Sequence, residues 1–381
     1  MYKRKEEIFI REYISYFPVT AILGPRQCGK TTLARKIART RPNSLYLDME
    51  RASDYQKIAD PELFFRNNQG KLIVIDEIQI RKDIFPAIRS FADSAERKTP
   101  ILVLGSASPE LIRQSSETLA GRIAFCELAP LNCMEAKNIP MNDIWFRGGF
   151  PLSLLAPKTG LSNRWREFFI KTFVERDLPM LGLRLAPLQI SRLLSLLAHS
   201  HGELLNSSKL GEALGVSHTM FRQYTDFLEN SFLIRTLKPN FNNAKKRIVK
   251  SPKIYVRDSG ILHSILGIRS FNDLLGHPSV GCSWEGFAME QLLSAISKDW
   301  EPSFYRTQAG AEMDLVLENG KERIGVEFKV NTAPTVPAGF WNCIEDLGLS
   351  KVYIVCPIED FYSYKKNATV CGIRQAVAAI P

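Results

Sequence analysis

Short apolar runs recur through the first third of the chain, at residues 19–23, 44–47, 72–75 and 101–104. Between them lie stretches with helical spacing, such as residues 31–39 and 84–95. Apolar runs alternating with amphipathic helices predict a parallel sheet covered on both faces. From Pro151 onward the pattern changes, and residues 165–177 and 188–199 read as helices. A helical pair follows, 207–214 and 217–229, broken at Gly215 and with Ser217 as the second N-cap. Residues 232–237 and 247–256 then carry strand patterning, so helix, turn, helix and ribbon give the order of a winged helix. After Asp258 an α/β pattern returns: a helix over 283–297, hairpin strands 312–318 and 321–330 around Asn319-Gly320, and a buried strand at 351–356.

The first run leads into Gly24-Pro25-Arg26-Gln27-Cys28-Gly29-Lys30-Thr31, a full GxxxxGK[ST] match between a strand and a helix, with Thr32 following. Its glycines let backbone N–H groups turn toward phosphate oxygens, and the helix N-terminus adds partial positive charge. Lys30 is expected to neutralise the β- and γ-phosphates of ATP, and Thr31 to present its hydroxyl to Mg²⁺. The run at 72–75 ends in Asp76 and Glu77. Asp76 is expected to hold Mg²⁺ through water, and Glu77 to act as general base on the attacking water. Ser106 closes the next strand, as a γ-phosphate sensor or as the cap of a following helix. Arg122 is the candidate cation for transition-state charge.

Strand alternation sharpens the reading of the C-terminal hairpin. Met313, Leu315 and Leu317 share one face with Ile324, Val326 and Phe328; Glu312 and Asp314 take the other, as do Glu327 and Lys329. A two-residue turn at Asn319-Gly320 pairs Glu318 with Lys321, which sets Asp314 diagonal to Glu327. Carboxylates Asp314 and Glu327, with Glu285 from the preceding helix, form a candidate Mg²⁺ site, with Mn²⁺ as the other ion suited to oxygen ligands. Lys329 would polarise water or a phosphodiester. The bland reading is a half-exposed hairpin with a solvated polar face.

Composition narrows the partners. At 381 residues the chain is long enough for two or three domains. A formal net charge of +10 favours an acidic partner, DNA first. Six basic residues crowd 241–257 without an acid: Lys245, Lys246, Arg247, Lys250, Lys253 and Arg257. As a wing they would neutralise phosphates beside a helix offering His218, Arg222 and Gln223; the same segment would equally serve as a protein interface. The seven cysteines form no CxxC pair, which suits reduced thiols. No run approaches the roughly 20 apolar residues of a membrane span, and no leader is visible, so a cytoplasmic protein is expected.

The chain resembles the prokaryotic AAA-type P-loop ATPases that carry a C-terminal domain of unknown function. The likeness rests on GPRQCGKTT (24–32), IDEIQ (75–79), LGSAS (104–108), LAGR (119–122), GGFP (148–151), ERDLP (175–179), SPKIYVRDSG (251–260) and GAEMDLVL–GVEFK (310–329). It implies a AAA-like core, a winged-helix segment and a C-terminal domain similar to PD-(D/E)xK nucleases. Lys30, Thr31, Asp76 and Glu77 match its ATPase motifs; Glu285, Asp314, Glu327 and Lys329 match the nuclease-like ones; Arg122 matches the arginine of LAGR. Cys28 inside the P-loop and LGSAS in place of TGS depart from its usual pattern. The expected fold class is therefore α/β: a P-loop NTPase core with a parallel sheet, a winged-helix segment and a restriction-endonuclease-like α/β domain. The expected division is 1–135, a helical linker at 136–185, 186–257 and 258–381. The expected function is an ATPase that acts on DNA as a homo-oligomer, with a Mg²⁺-dependent nuclease-like half. The alternative is a nucleotide-switched regulator whose C-terminal half binds DNA or protein without cleavage.

Overall fold

A computed structural model describes residues 2–93, 99–106, 119–241, 247–365 and 367–380, with only the backbone of Lys82 and Ser106. It separates into two compact units, Met1–Leu131 with Asn230–Phe232, and Asn132–Glu229 with Leu233–Pro381.

The first unit is built on five strands: β1 (Val19–Gly24), β2 (Ser44–Asp48), β3 (Leu72–Asp76), β4 (Ile101–Ser106) and β5 (Ile123–Glu127). They run parallel in the order β2-β3-β4-β1-β5. Period-two alternation splits each apolar run between two cores. Val19, Ala21 and Leu23 face one core with Ile73 and Ile75; Ile22 faces the other with Val74, Leu102 and Leu104. Each such fully buried aliphatic side chain contributes about 1.5–3 kcal/mol. The second core is closed by Ile10 and Ile14 of the helix Glu6–Tyr16 and by Leu33 and Ile37 of the helix Lys30–Arg39. The apolar-run pattern passes over β5, an edge strand whose Phe125 is exposed, because an edge with one covered face needs no continuous apolar run.

The second unit begins with helices. Thr159–Thr172 passes into a π-helical turn at Phe173–Asp177, and Pro187–His199, Ser207–Leu214 and His218–Asn230 follow. Asn206 caps the second-last helix through the Lys209 amide, and Ser217 Oγ accepts from the Met220 amide at 3.2 Å, as its N-cap position predicts. Strands β6 (Ile234–Leu237) and β7 (Lys253–Val256) pair antiparallel, which completes the helix–ribbon order. The ribbon is shorter than its apolar patterning suggests. Pro252, which has no N–H to donate, precedes β7, and Ile248 makes only an isolated bridge with Thr307.

The RDSG and GGFP segments pin these helices to the C-terminal part of the unit. Asp258 caps the helix Ser259–Ile265 and accepts the Gly149 amide at 2.8 Å. A Cβ on Gly148 would lie 2.2 Å from Asp258 Oδ1, and one on Gly260 would lie 2.2 Å from the Arg147 carbonyl, so both positions require glycine.

Six strands finish the unit: β8 (Glu301–Arg306), β9 (Glu312–Asn319), β10 (Glu322–Phe328), β11 (Lys351–Val355), β12 (Phe361–Ser363) and β13 (Ala368–Cys371). They lie in the order β12-β13-β11-β10-β9-β8, with β10, β11 and β13 parallel and the rest antiparallel to their neighbours. The helix Val280–Ala295 packs in the same unit and buries eleven of its sixteen residues.

The β9–β10 hairpin corrects one sequence expectation. Asn319 pairs with Glu322 and Glu318 with Arg323, so the turn residues are Gly320 and Lys321 rather than Asn319 and Gly320. Gly320 has φ of +59°, and Lys321 is not among the positive-φ residues, which places the glycine at the first central turn position. The register therefore moves by two residues, and a shift of two returns every side chain to its expected face. Its consequence is a tighter pairing: continuing the ladder from Val326↔Leu315 sets Glu327 directly across from Asp314.

Candidate functional site

The nucleotide motif folds as a loop between β1 and the helix Lys30–Arg39. Two glycines are needed there for different reasons. Gly24 passes so close to the Leu128 backbone that a Cβ would meet its carbonyl oxygen at 2.2 Å, and Gly29 has φ of +107°. Gln27 also takes a positive φ, of 62°. Cys28 is fully buried and its thiol donates to the Leu128 carbonyl at 3.2 Å. Burial pushes that thiol's pKa up, so Cys28 acts as a packed apolar residue, and the departure from the usual pattern is structural. Arg4 supports the loop from outside the motif: buried, it donates to the Cys28 carbonyl at 3.0 Å and to that of Ala129. Pro25 is buried, Arg26 pairs with Glu50 at 3.5 Å, and Thr32 is exposed on the first helical turn.

Lys30 is buried, and its Nζ donates to the carbonyls of Gly24 and Pro25, each at 2.9 Å. Thr31 Oγ1 donates to Asp76 Oδ2 at 2.8 Å. Asp76 ends β3, is 3% exposed, and is held by a second hydroxyl, Tyr46 Oη, and by the Glu77 amide at 3.0 Å on Oδ1. Burial, then the hydrogen bond and charge of Asp76, raise the Tyr46 pKa, so its hydroxyl stays protonated and donating. Glu77 sits in the left-handed region, at φ of 53°, with its carboxylate taking a bond from Gln79. Burial raises the Glu77 pKa, which suits a proton acceptor. On β4 the Ser106 backbone pairs with Gly24; the Ser106 side chain lies outside the described residues. Lys30, Thr31, Asp76 and Glu77 thus gather at the C-terminal end of the sheet, where ligands of open parallel sheets bind.

Arg122 lies at the other end. Its carbonyl accepts from the Val19 amide at 3.1 Å, beside the first residue of β1, and its guanidinium engages Asp93 at 3.0 Å. The P-loop leaves β1 at its last residue, about 17 Å along the strand. Arg122 is therefore not brought to the nucleotide motif of its own chain. Sequence reasoning missed Arg4, which bonds to the P-loop at Cys28, and Tyr46, which bonds to Asp76. Neither belongs to a motif; for Tyr46 the signal is a phenol hydroxyl between two leucines on the strand next to β3 in the sheet.

The second unit gathers the other set. Glu285, Asp314 and Glu327 are nearly buried and electrostatically close. Burial, then the neighbouring Asp314, pushes Glu285 up to about 7 and Glu327 up to about 8. Lys329 Nζ pairs with Glu327 Oε1 at 2.6 Å, while Glu327 Oε2 is buried with no hydrogen-bond partner. Asp314 Oδ2 accepts the Phe328 amide at 3.0 Å.

The expectation that Lys253 belongs to a wing that meets phosphates or a protein is corrected by its burial. Lys253 is 3% exposed, and its Nζ lies 2.7 Å from Glu312, 3.0 Å from Glu285 and 3.6 Å from Asp314. Burial alone would lower its pKa, but the surrounding carboxylates outweigh that and hold it charged. Tyr255, two residues on along β7, donates to the same Glu285 oxygen at 2.6 Å. Among the described residues no group of three or more His, Cys, Asp or Glu is arranged to hold a metal ion. The expected divalent ion at Glu285, Asp314 and Glu327 thus does not fit this arrangement, because an ammonium already lies among the carboxylates.

The rest of the basic segment divides as well. Arg257 pairs with the buried Glu290 at 3.1 Å, together with Arg235. Arg247 and Lys250 are exposed, as are His218, Arg222 and Gln223; Lys245 and Lys246 lie outside the described residues. Among the described residues no helix is long and apolar enough to cross a membrane.

Comparison with known proteins follows the same division. Residues 16–137 match a family described as a AAA domain. Residues 140–272 and 280–376 each match a family described as a domain of unknown function. An uncharacterized protein of Mycobacterium tuberculosis is 39% identical over 351 residues, which cover 92% of this chain and 79% of that protein. An uncharacterized protein of Haemophilus influenzae is 25% identical over 290 residues, 67% of this chain and 70% of that one. Among solved structures, AMPPCP-bound DnaA from Aquifex aeolicus matches 58% of this chain and 86% of its own, at 13% identity and a TM-score of 0.28, too low to establish a shared fold.

Proposed function

The chain belongs to the family of this uncharacterized mycobacterial protein, with a AAA domain at its N-terminal end, and from that premise we propose that it binds and hydrolyses ATP at residues 24–31, 76 and 77 and uses the cycle in work on DNA. The observation that carries the ATPase reading is the 2.8 Å bond between Thr31 Oγ1 and Asp76 Oδ2, with Lys30 on the same turn. A hydroxyl and a carboxylate so paired are the hard oxygen donors that suit Mg²⁺. When bound, that ion would neutralise charge on the phosphate oxygens. Lys30 would exchange its two carbonyl partners for phosphate oxygens. Glu77 would take the proton of the attacking water as the water oxygen bonds to the γ-phosphorus and the bond to the bridging oxygen of ADP breaks. Tyr46 would hold the Asp76 carboxylate in place throughout.

Phosphate release tests this. Glu77→Gln keeps nucleotide binding and loses hydrolysis on the order of 10²–10⁴-fold, because an amide accepts no proton. A wild-type rate in that variant removes Glu77 from the role. Arg122, distant from its own P-loop, is proposed to serve the nucleotide of a neighbouring copy, so ATP should drive homo-oligomers of Glu77→Gln. A monomer by light scattering at high concentration overturns that assignment.

DNA is favoured as the partner by the net charge of +10 and by the exposed Arg222, Arg247 and Lys250. For the C-terminal carboxylates, Lys253 favours a second reading over cleavage: a nuclease-like site kept for binding. Plasmid incubated with the protein and Mg²⁺ should remain intact; nicking lost in Asp314→Ala would restore the nuclease reading.

A further inference from the structure

A buried cluster of acids needs positive charge nearby, and the source of that charge here comes from a different part of the chain. Glu285, Glu312, Asp314 and Glu327 come from the helix Val280–Ala295 and from β9 and β10. Lys329 pairs directly with Glu327, and Arg306 reaches the half-exposed Glu312 at 3.5 Å. Glu285, Asp314 and Glu312 all lie against one ammonium, that of Lys253, the first residue of β7 in the ribbon that follows the helix pair.

The geometry is that of a seat rather than a passing ion pair. The Lys253 side chain is 4% exposed. β7 is fixed by its pairing to β6 and by the bridge from Leu204, and Tyr255 on the same strand reaches the same glutamate. The ammonium lies among Glu285, Glu312 and Asp314 and engages carboxylate oxygens that a divalent ion there would need. Glu327 Oε2, buried and unpartnered, is the acceptor the ammonium leaves unmet.

We propose that the Lys253 ammonium is the resident cation of this carboxylate cluster, and that Lys253 and a divalent metal ion exclude one another there. In the arrangement with β7 in place the cluster takes no Mg²⁺ or Mn²⁺, and admission of an ion requires Lys253 to leave. The proposal stands whether or not the chain hydrolyses ATP or engages DNA.

The test counts Mn²⁺ bound to the nucleotide-free full chain by electron paramagnetic resonance. Wild type and Asp314→Asn should bind the same number, since neither has an ion in the cluster. Lys253→Met, of similar length without the charge, should bind one more Mn²⁺ per chain and melt at higher temperature when Mn²⁺ is added. That extra ion should vanish in Lys253→Met with Asp314→Asn. An ion present in wild type and lost in Asp314→Asn overturns the proposal, and so does a folded Lys253→Met that gains none. If Lys253→Met does not fold, the wild-type and Asp314→Asn pair decides, with Lys253→Arg expected to behave as wild type. Phosphate release from ATP, measured on the same samples, reports the first unit separately.

Discussion

Both candidate sites bring a buried lysine to acids or acceptors at the end of a strand, yet they are balanced in opposite ways. Lys30 bonds only to two neutral carbonyls of its own loop, which phosphate oxygens can replace without leaving a charge stranded. Lys253 pairs with three carboxylates, of which Glu285 and Asp314 would be left enclosed without a cation of their own. One lysine is available to a ligand, and the other stands where a ligand cation would go. A lysine beside a motif is thus informative only once its partners are known.

The largest effect expected from that contrast is on stability. Lys253→Ala should cost about 3–5 kcal/mol in denaturant unfolding, because it strands buried carboxylates. Lys30→Ala should cost only about 1 kcal/mol, the worth of ordinary hydrogen bonds, while abolishing tight ATP binding. Equal losses would show that the two lysines are held alike. Tyr46→Phe sharpens the first site. Removing one donor to Asp76 should raise the Mg²⁺ concentration for half-maximal hydrolysis about 10-fold and leave Mg²⁺-free nucleotide binding unchanged.

The second site should also show in pH dependence. Burial and the neighbouring Asp314 push Glu327 from its ordinary 4.5 up to about 8 in the folded chain, so the unfolded state binds fewer protons between those values. Its stabilising contribution is therefore complete below 4.5 and lost as pH rises toward about 8. Glu327→Gln should flatten the fall in melting temperature across that window; an unchanged slope would assign the titration elsewhere. The smallest effect concerns DNA. Reversing the exposed Arg247 and Lys250 should weaken binding and lower the salt slope by about 2, whereas Lys253→Met should leave that slope alone.

Local pattern carried much of this protein. GxxxxGK[ST] between strand and helix, and an apolar run ending in two acids, locate Lys30, Thr31, Asp76 and Glu77, because phosphate-binding loops are made by neighbours in sequence. Strand alternation likewise assigned the hairpin faces. The slip of two residues at Gly320 left them intact and brought Glu327 opposite Asp314, since only odd shifts exchange faces.

What the chain by itself determined, then, is the nucleotide loop, the alternation of apolar runs and helices that builds a parallel sheet, and the polar face of the hairpin, each carried by the pattern of residues close in sequence. Only the tertiary structure decided that Tyr46 holds Asp76 from an adjacent strand, that Arg4 braces the loop from the N-terminus, and that Arg122 sits at the far end of its sheet. It also turned Lys253 from one member of a basic run into the cation of an acidic cluster. A charge in sequence has a sign but no partner; the partner is chosen by packing between segments distant along the chain, and local spacing carries no record of that choice.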